Sequence, residues 1–301
     1  MVDRRDLLKM MAAAFAAHAL PRSAHAQKEM LKRKIPKSGE ALPAVGLGTS
    51  DVFDVGTGER EPVKEVLRRF IELGGRVVDT SPMYGRAENV VGDVAQELGI
   101  AKSLFIATKV WIRGKEAGVQ QMTASIQLLK TPRIDLMQVH NLVDLQTQLA
   151  TLRDWKAQGK IRYLGVTHYT VGSHRELEDL VRKENLDFVQ LNYSIGTRDA
   201  ESRLLPACAE TGTATLINRP FEDGALFRPV KGKSLPEWAK EFDCETWAQF
   251  FLKYILSNPA VTCVIPATAK LKHLEDNMQS GYGKLPDAKM RARMVDYLKQ
   301  L

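Results

Sequence analysis

The sequence predicts an α/β protein whose eight parallel strands close into a barrel, with helices between the strands and a β-hairpin before the first. Three observations favour this fold class. From residue 40 onward, short runs of β-branched and apolar residues alternate with longer amphipathic stretches. The short runs number eight, and the amphipathic stretches supply the crossovers of about a dozen residues that parallel neighbours require. Eight such units in about 250 residues are typical of the (β/α)8, or TIM, barrel.

The expected strands are the apolar runs that lie between turn-forming residues. They lie at 45–49, 76–80, 104–110, 134–140, 163–167, 188–192, 214–218 and 261–266. Apolar residues recur at helical spacing at 63–73 and 145–158, and a last helix is expected at 287–301. Gly74 and Gly159 lie where two of these helices should end.

A hairpin is expected ahead of the first barrel strand. Residues 31–35 and 40–42 flank the turn-forming run Pro36-Lys37-Ser38-Gly39, so two short strands would cap the bottom of the barrel. An open Rossmann-type sheet is the alternative fold. It is disfavoured because Gly46-Leu47-Gly48-Thr49 supplies only the first half of the G-x-G-x-x-G fingerprint.

Residues 1–26 differ in composition from the rest of the chain. Arg4 and Arg5 precede an apolar run at 10–20 and the sequence Ala24-His25-Ala26, in the order of a basic region, an apolar region and an A-x-A cleavage site. The segment resembles a twin-arginine signal, which implies the export machinery as a partner and a periplasmic or exported protein. We then expect one barrel domain at 27–301; the alternative is an amphipathic tail on a cytoplasmic protein. An apolar run of 11 residues is too short for a permanent membrane anchor, which needs ~20.

Composition excludes several classes of protein. With 44% hydrophobic and 26% charged residues, the chain is neither disordered nor fibrous. The net charge of +7 is spread over small basic clusters without interleaved aromatic residues, so no nucleic-acid groove is expected. Cys208, Cys244 and Cys263 have neither the spacing of metal ligands nor the even number of a disulfide framework, and no metal site is expected.

Polar residues end neighbouring strands, where a barrel of this kind carries its active site. Asp79, Lys109 and His140 are separated by 30 and 31 residues, which we expect to place them at one height. Tyr84 follows Asp79 in a turn with proline and glycine that allow the chain to fold back over the mouth. Each residue alone also has a structural explanation, as a turn cap, a solvated strand end, a core histidine or a packing aromatic.

These four side chains suit the protonation of a carbonyl oxygen. The Lys109 ammonium is expected to lower the pKa of the Tyr84 phenol below its reference value of ~10, which makes the phenol a better proton donor. Asp79 would keep Lys109 charged, and His140 would donate a hydrogen bond to the carbonyl oxygen. None of the four is a hydride source, so a redox cofactor is required.

The motifs around these residues resemble those of the aldo/keto reductase superfamily. They are Asp79-Thr80-Ser81-Pro82-Met83-Tyr84-Gly85, Ala107-Thr108-Lys109, Gln138-Val139-His140-Asn141, Gly165-Val166-Thr167, Val189-Gln190-Leu191-Asn192-Tyr193, Ile265-Pro266-Ala267-Thr268 and Leu274-Glu275-Asp276-Asn277. The resemblance implies NAD(P)H-dependent reduction of aldehydes or ketones to alcohols, with Tyr84 as the proton donor. It also implies that Asp79 and Lys109 tune the phenol and that His140 orients the carbonyl.

The resemblance further implies a dinucleotide, NADP(H) or NAD(H), across the barrel mouth. Its contacts would come from Thr49, Thr167, His168, Gln190, Asn218, Arg219, Thr268, His273, Asp276 and Asn277. The chain departs from the family at His168, where asparagine is usual, and at Asn218-Arg219, which replaces an aromatic-serine pair. Ala267 and His273 replace a basic pair, which removes charge-assisted bonds to a 2′-phosphate and leaves the choice of cofactor open. Arg219 is either a cofactor contact or half of an ordinary salt bridge.

A mainly apolar pocket for a small-molecule carbonyl substrate is expected among the loops after the first four strands. Its lining would be Val52, Phe53, Trp111 and Leu142, although Phe53 and Trp111 would equally suit packing beneath the loops. The alternative function is a slow, cofactor-retaining redox sensor or regulatory subunit of the same fold, because an exported enzyme has no evident supply of reduced nicotinamide. A sugar or phosphate isomerase barrel is disfavoured, because no Gly-rich phosphate-binding turn follows the seventh and eighth runs.

Overall fold

The computed structural model describes residues 29–301, and the expected export signal at 1–26 lies outside the described residues. The strands are β1 Lys32–Lys34, β2 Ala41–Pro43, β3 Leu47–Gly48, β4 Val77–Asp79, β5 Phe105–Val110, β6 Ile134–His140, β7 Ile161–Thr167, β8 Phe188–Asn192, β9 Ala214–Asn218 and β10 Cys263–Val264. The α-helices are α1 Glu61–Glu72, α2 Ala87–Glu97, α3 Lys115–Leu128, α4 Leu145–Ala157, α5 His174–Lys183, α6 Leu204–Thr211, α7 Trp247–Leu256, α8 Leu271–Gln279 and α9 Ala288–Leu298.

Strands β3 to β10 form one parallel sheet in chain order, and its first and last strands meet. The Gly46 N–H donates to the Val264 carbonyl at 2.8 Å, and the Val264 N–H donates to the Ala44 carbonyl at 2.9 Å. These bonds close the sheet into a barrel. The predicted (β/α)8 fold is therefore confirmed, and the open Rossmann-type sheet is excluded.

The two strands at this seam are shorter than the runs predicted at 45–49 and 261–266. Pro266 has no N–H, so the regular ladder of β10 cannot continue through it, although its carbonyl accepts the Gly48 N–H at 3.1 Å. Close packing at the seam also requires glycine. A Cβ at Gly46 would lie 2.8 Å from the Val77 carbonyl oxygen.

Large side chains fill the interior of the barrel. The rings of Phe105, Tyr163 and Phe188 pack together, with centroids 5.6 to 6.1 Å apart. Ile35, which follows β1, and Leu42, in the middle of β2, are fully buried in the same cluster. The β1–β2 hairpin therefore caps the bottom of the barrel, as the sequence predicts.

The helices cover the outer face of the barrel. The buried side chains of α1 lie on the face that the apolar spacing predicts, and they are Val63, Val66, Leu67 and Phe70. Gly74, whose φ is +78°, follows the end of this helix as expected. No helix within residues 29–301 combines the length and the apolar character needed to cross a bilayer.

Candidate active site

Charged side chains meet at the carboxyl ends of β4 and β5. The strand register pairs Asp79 with Ala107 and Lys109 with Gln138, so Asp79 and Lys109 are offset by two residues along their strands. The tilt of barrel strands compensates for this offset. The Lys109 ammonium donates to Asp79 Oδ2 at 2.6 Å and to the Thr80 carbonyl at 2.7 Å. The Lys109 side chain is 0% exposed and that of Asp79 4%, so the pair is shielded from water.

Two amides hold the other oxygen of Asp79. Gln190 Nε2 donates to Asp79 Oδ1 at 2.8 Å, and Gln138 Nε2 donates to the same oxygen at 3.2 Å. The Gln190 amide oxygen accepts in turn from the Thr167 hydroxyl at 3.2 Å. A buried carboxylate needs such partners because an unpaired charge is costly at low dielectric. Hydrogen bonds thus connect the ion pair to Thr167, which lines a cleft at the top of the barrel.

Tyr84 lies in the turn after β4, and its ring centroid is 4.8 Å from the Lys109 ammonium. Burial raises the pKa of the Tyr84 phenol, and the ammonium opposes this shift without cancelling it. The expectation of a lowered phenol pKa is therefore wrong for the protein alone, because desolvation of the phenolate outweighs its attraction to the cation. The phenol is protonated near neutral pH, which is the form that can donate a proton.

The charge of Lys109 depends on its neighbours. Burial is the largest influence and lowers the pKa of the ammonium, but the Asp79 carboxylate and the Tyr84 phenol outweigh it. The pKa of Lys109 therefore lies above its ordinary value. The lysine keeps its charge at a site where burial alone would remove it.

His140 ends β6 with its ring beside two aromatic side chains. The ring centroid lies 6.0 Å from that of Tyr84, edge to face, and 6.4 Å from that of Trp111. His140 Nδ1 lies 3.1 Å from the Ser81 hydroxyl oxygen. Burial, together with the positive charge of Lys109, lowers the pKa of His140 to about 3. The imidazole is therefore neutral near neutral pH.

A cleft of about 880 Å³ lies at the top of the barrel, and Asp79, Tyr84 and His140 are on its wall. Sites for small molecules commonly have volumes of ~300–1,000 Å³. Nine of the ten cofactor residues expected from the sequence line the same cleft, namely Thr49, Thr167, Gln190, Asn218, Arg219, Thr268, His273, Asp276 and Asn277. The loops after both the early and the late strands thus share one cavity.

His168, the tenth expected cofactor residue, is not on the wall of the cleft. Its ring stacks on that of Tyr169 with centroids 5.4 Å apart, and its Nδ1 accepts the Tyr169 N–H at 3.0 Å. The His168 carbonyl accepts from Asn218 Nδ2 at 3.4 Å. The expected side-chain contact is therefore replaced by a backbone role, in which His168 supports Asn218.

The structure contradicts the expected substrate role of Phe53. This side chain is 0% exposed and packs within the main hydrophobic core, so it cannot touch a ligand. Val52 and Leu142 are half-buried and pack against the same core, and neither lines the cleft. Trp111 lies outside the cleft wall as well, but it is 42% exposed and adjoins His140. Of the four expected substrate residues, Trp111 alone is exposed beside the site.

Sequence reasoning misses several residues of this region, among them Met83, Tyr169 and Gln138. Met83 and Tyr169 line the cleft and are 41% and 46% exposed, and Gln138 holds Asp79. Met83 and Gln138 lie within the motifs quoted above, so their position next to Tyr84 and His140 is the available signal. Tyr169 has no such signal, because an aromatic residue in a loop is equally typical of packing.

A nicotinamide fits the cleft if polar atoms on its wall lack hydrogen-bond partners in the described residues and can bind the carboxamide group. Asn218 Nδ2 donates to the His168 carbonyl at 3.4 Å and to Gln190 Oε1 at 3.3 Å, which fixes the orientation of the amide. Asn218 Oδ1 is buried and has no hydrogen-bond partner within residues 29–301. An unused acceptor near Thr167 and Gln190 suits an amide N–H of a ligand, such as the carboxamide of nicotinamide. The residues present therefore fit this group.

The wall of the cleft offers little positive charge to a phosphate. Besides His140, the basic residues on the wall are Arg219 and His273, and Arg219 is paired with Asp223 at 2.5 Å. The Thr268 hydroxyl is engaged by the Lys270 N–H at 3.0 Å. A 2′-phosphate would therefore depend on His273 and on an arginine released from its carboxylate.

Comparisons with known proteins agree with this geometry. Residues 44–294 match the model of the Aldo/keto reductase family. The methylglyoxal reductase YeaE of Escherichia coli (strain K12) is 30% identical over 257 residues, which cover 82% of this chain and 89% of that protein. YqkF of Bacillus subtilis, an uncharacterized oxidoreductase, is 26% identical over 291 residues and covers 83% of this chain and 91% of its own. An aldo/keto reductase of Klebsiella pneumoniae, solved in complex with NADP and acetate, superposes with a TM-score of 0.76 at 25% identity, over 90% of this chain and 95% of that one.

Proposed function

The chain belongs to the aldo/keto reductase family, and we propose that it is an NAD(P)H-dependent oxidoreductase that reduces an aldehyde or ketone carbonyl to an alcohol. One observation carries the proposal. The Lys109–Asp79 pair, joined at 2.6 Å, lies beside the Tyr84 phenol at a cleft of about 880 Å³. Similar proteins include a methylglyoxal reductase and a reductase solved with NADP, which support a small carbonyl substrate and this class of cofactor.

Tyr84 is the proton donor in this proposal. Its O–H bond breaks as the carbonyl oxygen takes the proton and becomes the alcohol hydroxyl. The Lys109 ammonium stabilises the phenolate that remains, and a proton from water in the cleft restores the phenol. Because burial raises the pKa of Tyr84, the donor is fully protonated before the reaction.

Other residues of the cleft bind the dinucleotide in this proposal. When bound, reduced nicotinamide supplies the hydride that adds to the carbonyl carbon. Thr167, Gln190 and Asn218 would hold its carboxamide, while Thr268 and Asn277 would hold the adenine end. The proposal includes both NADP(H) and NAD(H), since the wall of the cleft carries few cations.

His140 orients the carbonyl group of the substrate. Its neutral ring borders the cleft beside Tyr84 and donates a hydrogen bond to the same oxygen that receives the proton. Met83 and Tyr169 expose large side chains in the same cleft, and Trp111 is exposed beside the His140 ring. These side chains favour aliphatic or aromatic substituents on the substrate.

Steady-state turnover of a carbonyl panel with each dinucleotide tests the proposal on the full chain. We expect reduction by the wild type and a loss of at least about 100-fold in kcat for Tyr84→Phe, the contribution typical of a general acid. Dinucleotide binding, followed by fluorescence, should be unchanged in this variant. Absence of turnover together with absence of dinucleotide binding would overturn the proposal.

A redox sensor of the same fold is distinguished by the same variant. Slow turnover of the carbonyl panel at equal rates in the wild type and Tyr84→Phe, with the cofactor tightly retained, would support the sensor instead. Equal rates would mean that the Tyr84 hydroxyl donates no proton to the substrate.

Export is a separate proposal that depends on residues 1–26. The paired Arg4 and Arg5 ahead of an apolar run support passage through the twin-arginine pathway. Cell fractionation with sequencing of the mature N-terminus tests it. We expect an exported protein that begins at Gln27, and a cytoplasmic protein that begins at Met1 would contradict it.

A further inference from the structure

The structure assigns Ser81 a positioning role: its hydroxyl fixes the ring of His140 in the tautomer that carries the proton on Nε2. In that tautomer the ring is a hydrogen-bond donor toward the cleft. The inference rests on the proposed function, because it states how His140 meets the carbonyl oxygen. Ser81 belongs to the turn between Asp79 and Tyr84, and it has no role in the proton transfer proposed for Tyr84.

The hydrogen bonds around Ser81 determine the direction of its O–H group. Its side chain is 0% exposed, so partners must come from the protein. The oxygen accepts the Met83 N–H at 3.2 Å and lies 3.1 Å from His140 Nδ1. Within residues 29–301 no other group is hydrogen-bonded to this hydroxyl. Because the Met83 N–H can only donate, the single hydroxyl proton of Ser81 is directed to His140 Nδ1.

An imidazole that accepts at Nδ1 carries its proton on Nε2 while it is neutral. The groups that face the ring agree with a neutral state, since Lys109 is positive and the rings of Tyr84 and Trp111 are apolar neighbours. The opposite tautomer would direct a second N–H at the Ser81 oxygen. The serine proton would then be buried without an acceptor, which native structures avoid.

The protonated nitrogen is the one left for a ligand. His140 is on the wall of the cleft, and no residue in the described part of the chain is hydrogen-bonded to Nε2. The Ser81 contact occupies the opposite nitrogen. Nε2 is therefore the ring atom that can donate to a carbonyl oxygen.

Ser81 also holds the proton donor. Its backbone carbonyl accepts the Tyr84 N–H at 3.0 Å, and its hydroxyl accepts the Met83 N–H of the same turn. One residue thus fixes the turn that carries Tyr84 and the ring of His140. The two groups that meet the carbonyl oxygen are held in a common geometry by this residue.

The tautomer can be read directly by NMR. The probe is full-length protein labelled with ¹⁵N-histidine, and the signal of His140 among six histidines is identified by its loss in His140→Gln. We expect a proton on Nε2 in the wild type and in Ser81→Thr, which keeps the hydroxyl. In Ser81→Ala we expect a population with the proton on Nδ1. Ser125→Ala is the matched control, since Ser125 is 1% exposed and donates to a buried side chain, Glu88, at 3.1 Å away from the cleft.

Kinetics give the second readout. We expect kcat/KM for a carbonyl to fall about 10-fold in Ser81→Ala, the equivalent of one neutral hydrogen bond, with unchanged dinucleotide affinity. Ser81→Thr should restore it, and Ser125→Ala should leave it unchanged.

The NMR readout does not need turnover, so it separates the two proposals. A wild type without carbonyl reduction but with the expected tautomer would overturn the proposed function and support the assignment of Ser81. A wild-type His140 with its proton on Nδ1 would overturn the assignment even if Ser81→Ala failed to fold. An unchanged tautomer and unchanged kcat/KM in Ser81→Ala would overturn it as well.

Discussion

The ion pair of Lys109 and Asp79 is almost completely buried, with the lysine side chain 0% exposed and the aspartate side chain 4% exposed. A buried ion pair adds little to stability over an apolar pair of the same size, because desolvation offsets the attraction. Its consequence here is a fixed positive charge 4.8 Å from the Tyr84 ring. Asp79 keeps the pKa of Lys109 above its ordinary value despite burial. At the scale of single residues, the role that we propose for the pair is therefore in the chemistry of the phenol rather than in the stability of the fold.

Removing one partner of this pair should be worse for the fold than removing both. Lys109→Met leaves the Asp79 charge buried and unpaired, and we expect the free energy of unfolding to fall by about 3–5 kcal/mol. The double variant Asp79→Asn with Lys109→Met removes both charges and should regain most of this loss. Urea unfolding measures both values. A double variant no more stable than Lys109→Met would contradict the argument.

The titration of His140 should make the free energy of unfolding depend on pH in acidic solution. Its pKa in the folded protein is about 3 against an ordinary 6.5, so the unfolded chain binds one more proton between these values. Stability therefore falls as pH falls through this window. Between about pH 7 and about pH 4, we expect the wild type to lose about 3 kcal/mol more than His140→Gln. Urea unfolding over that range tests it, and parallel losses in the two proteins would show that His140 is not the cause.

At the scale of elements, the loop after β9 is unusual. Arg219, Glu222 and Asp223 have φ values of +48°, +52° and +54°, which non-glycine residues adopt uncommonly. Such backbone is retained where the surroundings fix it, often around ligands. Arg219 and Asp223 form an ion pair on this loop, with side chains 38% and 70% exposed. A pair this exposed is weak, so a phosphate group can replace the carboxylate.

The two residues of this pair should act in opposite directions on cofactor binding. If Arg219 contacts a cofactor phosphate, Arg219→Ala removes a charge-assisted bond, and we expect an increase of about 10-fold in the Kd of the dinucleotide. Asp223→Asn frees the guanidinium and should leave the Kd equal or lower. Isothermal titration with NADPH and NADH measures both. Unchanged affinity in Arg219→Ala would assign Arg219 to an ordinary salt bridge.

The whole molecule separates stability from chemistry along the barrel axis. The hairpin closes the bottom with Ile35 and Leu42, whereas Asp79, Lys109 and His140 lie at the carboxyl ends of the strands. In barrel enzymes the residues at the bottom serve stability, whereas those at the carboxyl ends of the strands carry the chemistry. The two ends should therefore respond independently to substitution.

A cavity in the hairpin cap tests this separation. Leu42 is fully buried, so we expect Leu42→Ala to lower the free energy of unfolding by about 2–5 kcal/mol. Where the variant is folded, kcat/KM should equal that of the wild type. Lys32→Ala, on an exposed position of the same hairpin, should change stability by less than about 0.5 kcal/mol. A reduced kcat/KM in folded Leu42→Ala would show that the cap and the site are coupled.

Periodicity predicts the backbone of this protein better than its side-chain directions. The eight apolar runs predict the barrel, and the polar residues that end three of them predict the site of Asp79, Lys109 and His140. Phe53 and His168 were expected at ligands, yet Phe53 turns into the core and the His168 ring stacks on Tyr169. Rotamers of this kind depend on packing between loops that are distant in sequence. The raised pKa of Tyr84 escapes prediction for the same reason, since it depends on burial in the folded chain.

Deuterium transfer tests most directly whether Tyr84 protonates a carbonyl as hydride reaches it. The full chain is incubated with NADPH or NADH deuterated at the transferring position and with an aldehyde, and the alcohol is analysed by mass spectrometry. We expect one deuterium on the carbinol carbon with the wild type, and at most a small fraction of that product with Tyr84→Phe. Labelled alcohol formed at equal rates by both proteins would contradict the role of Tyr84.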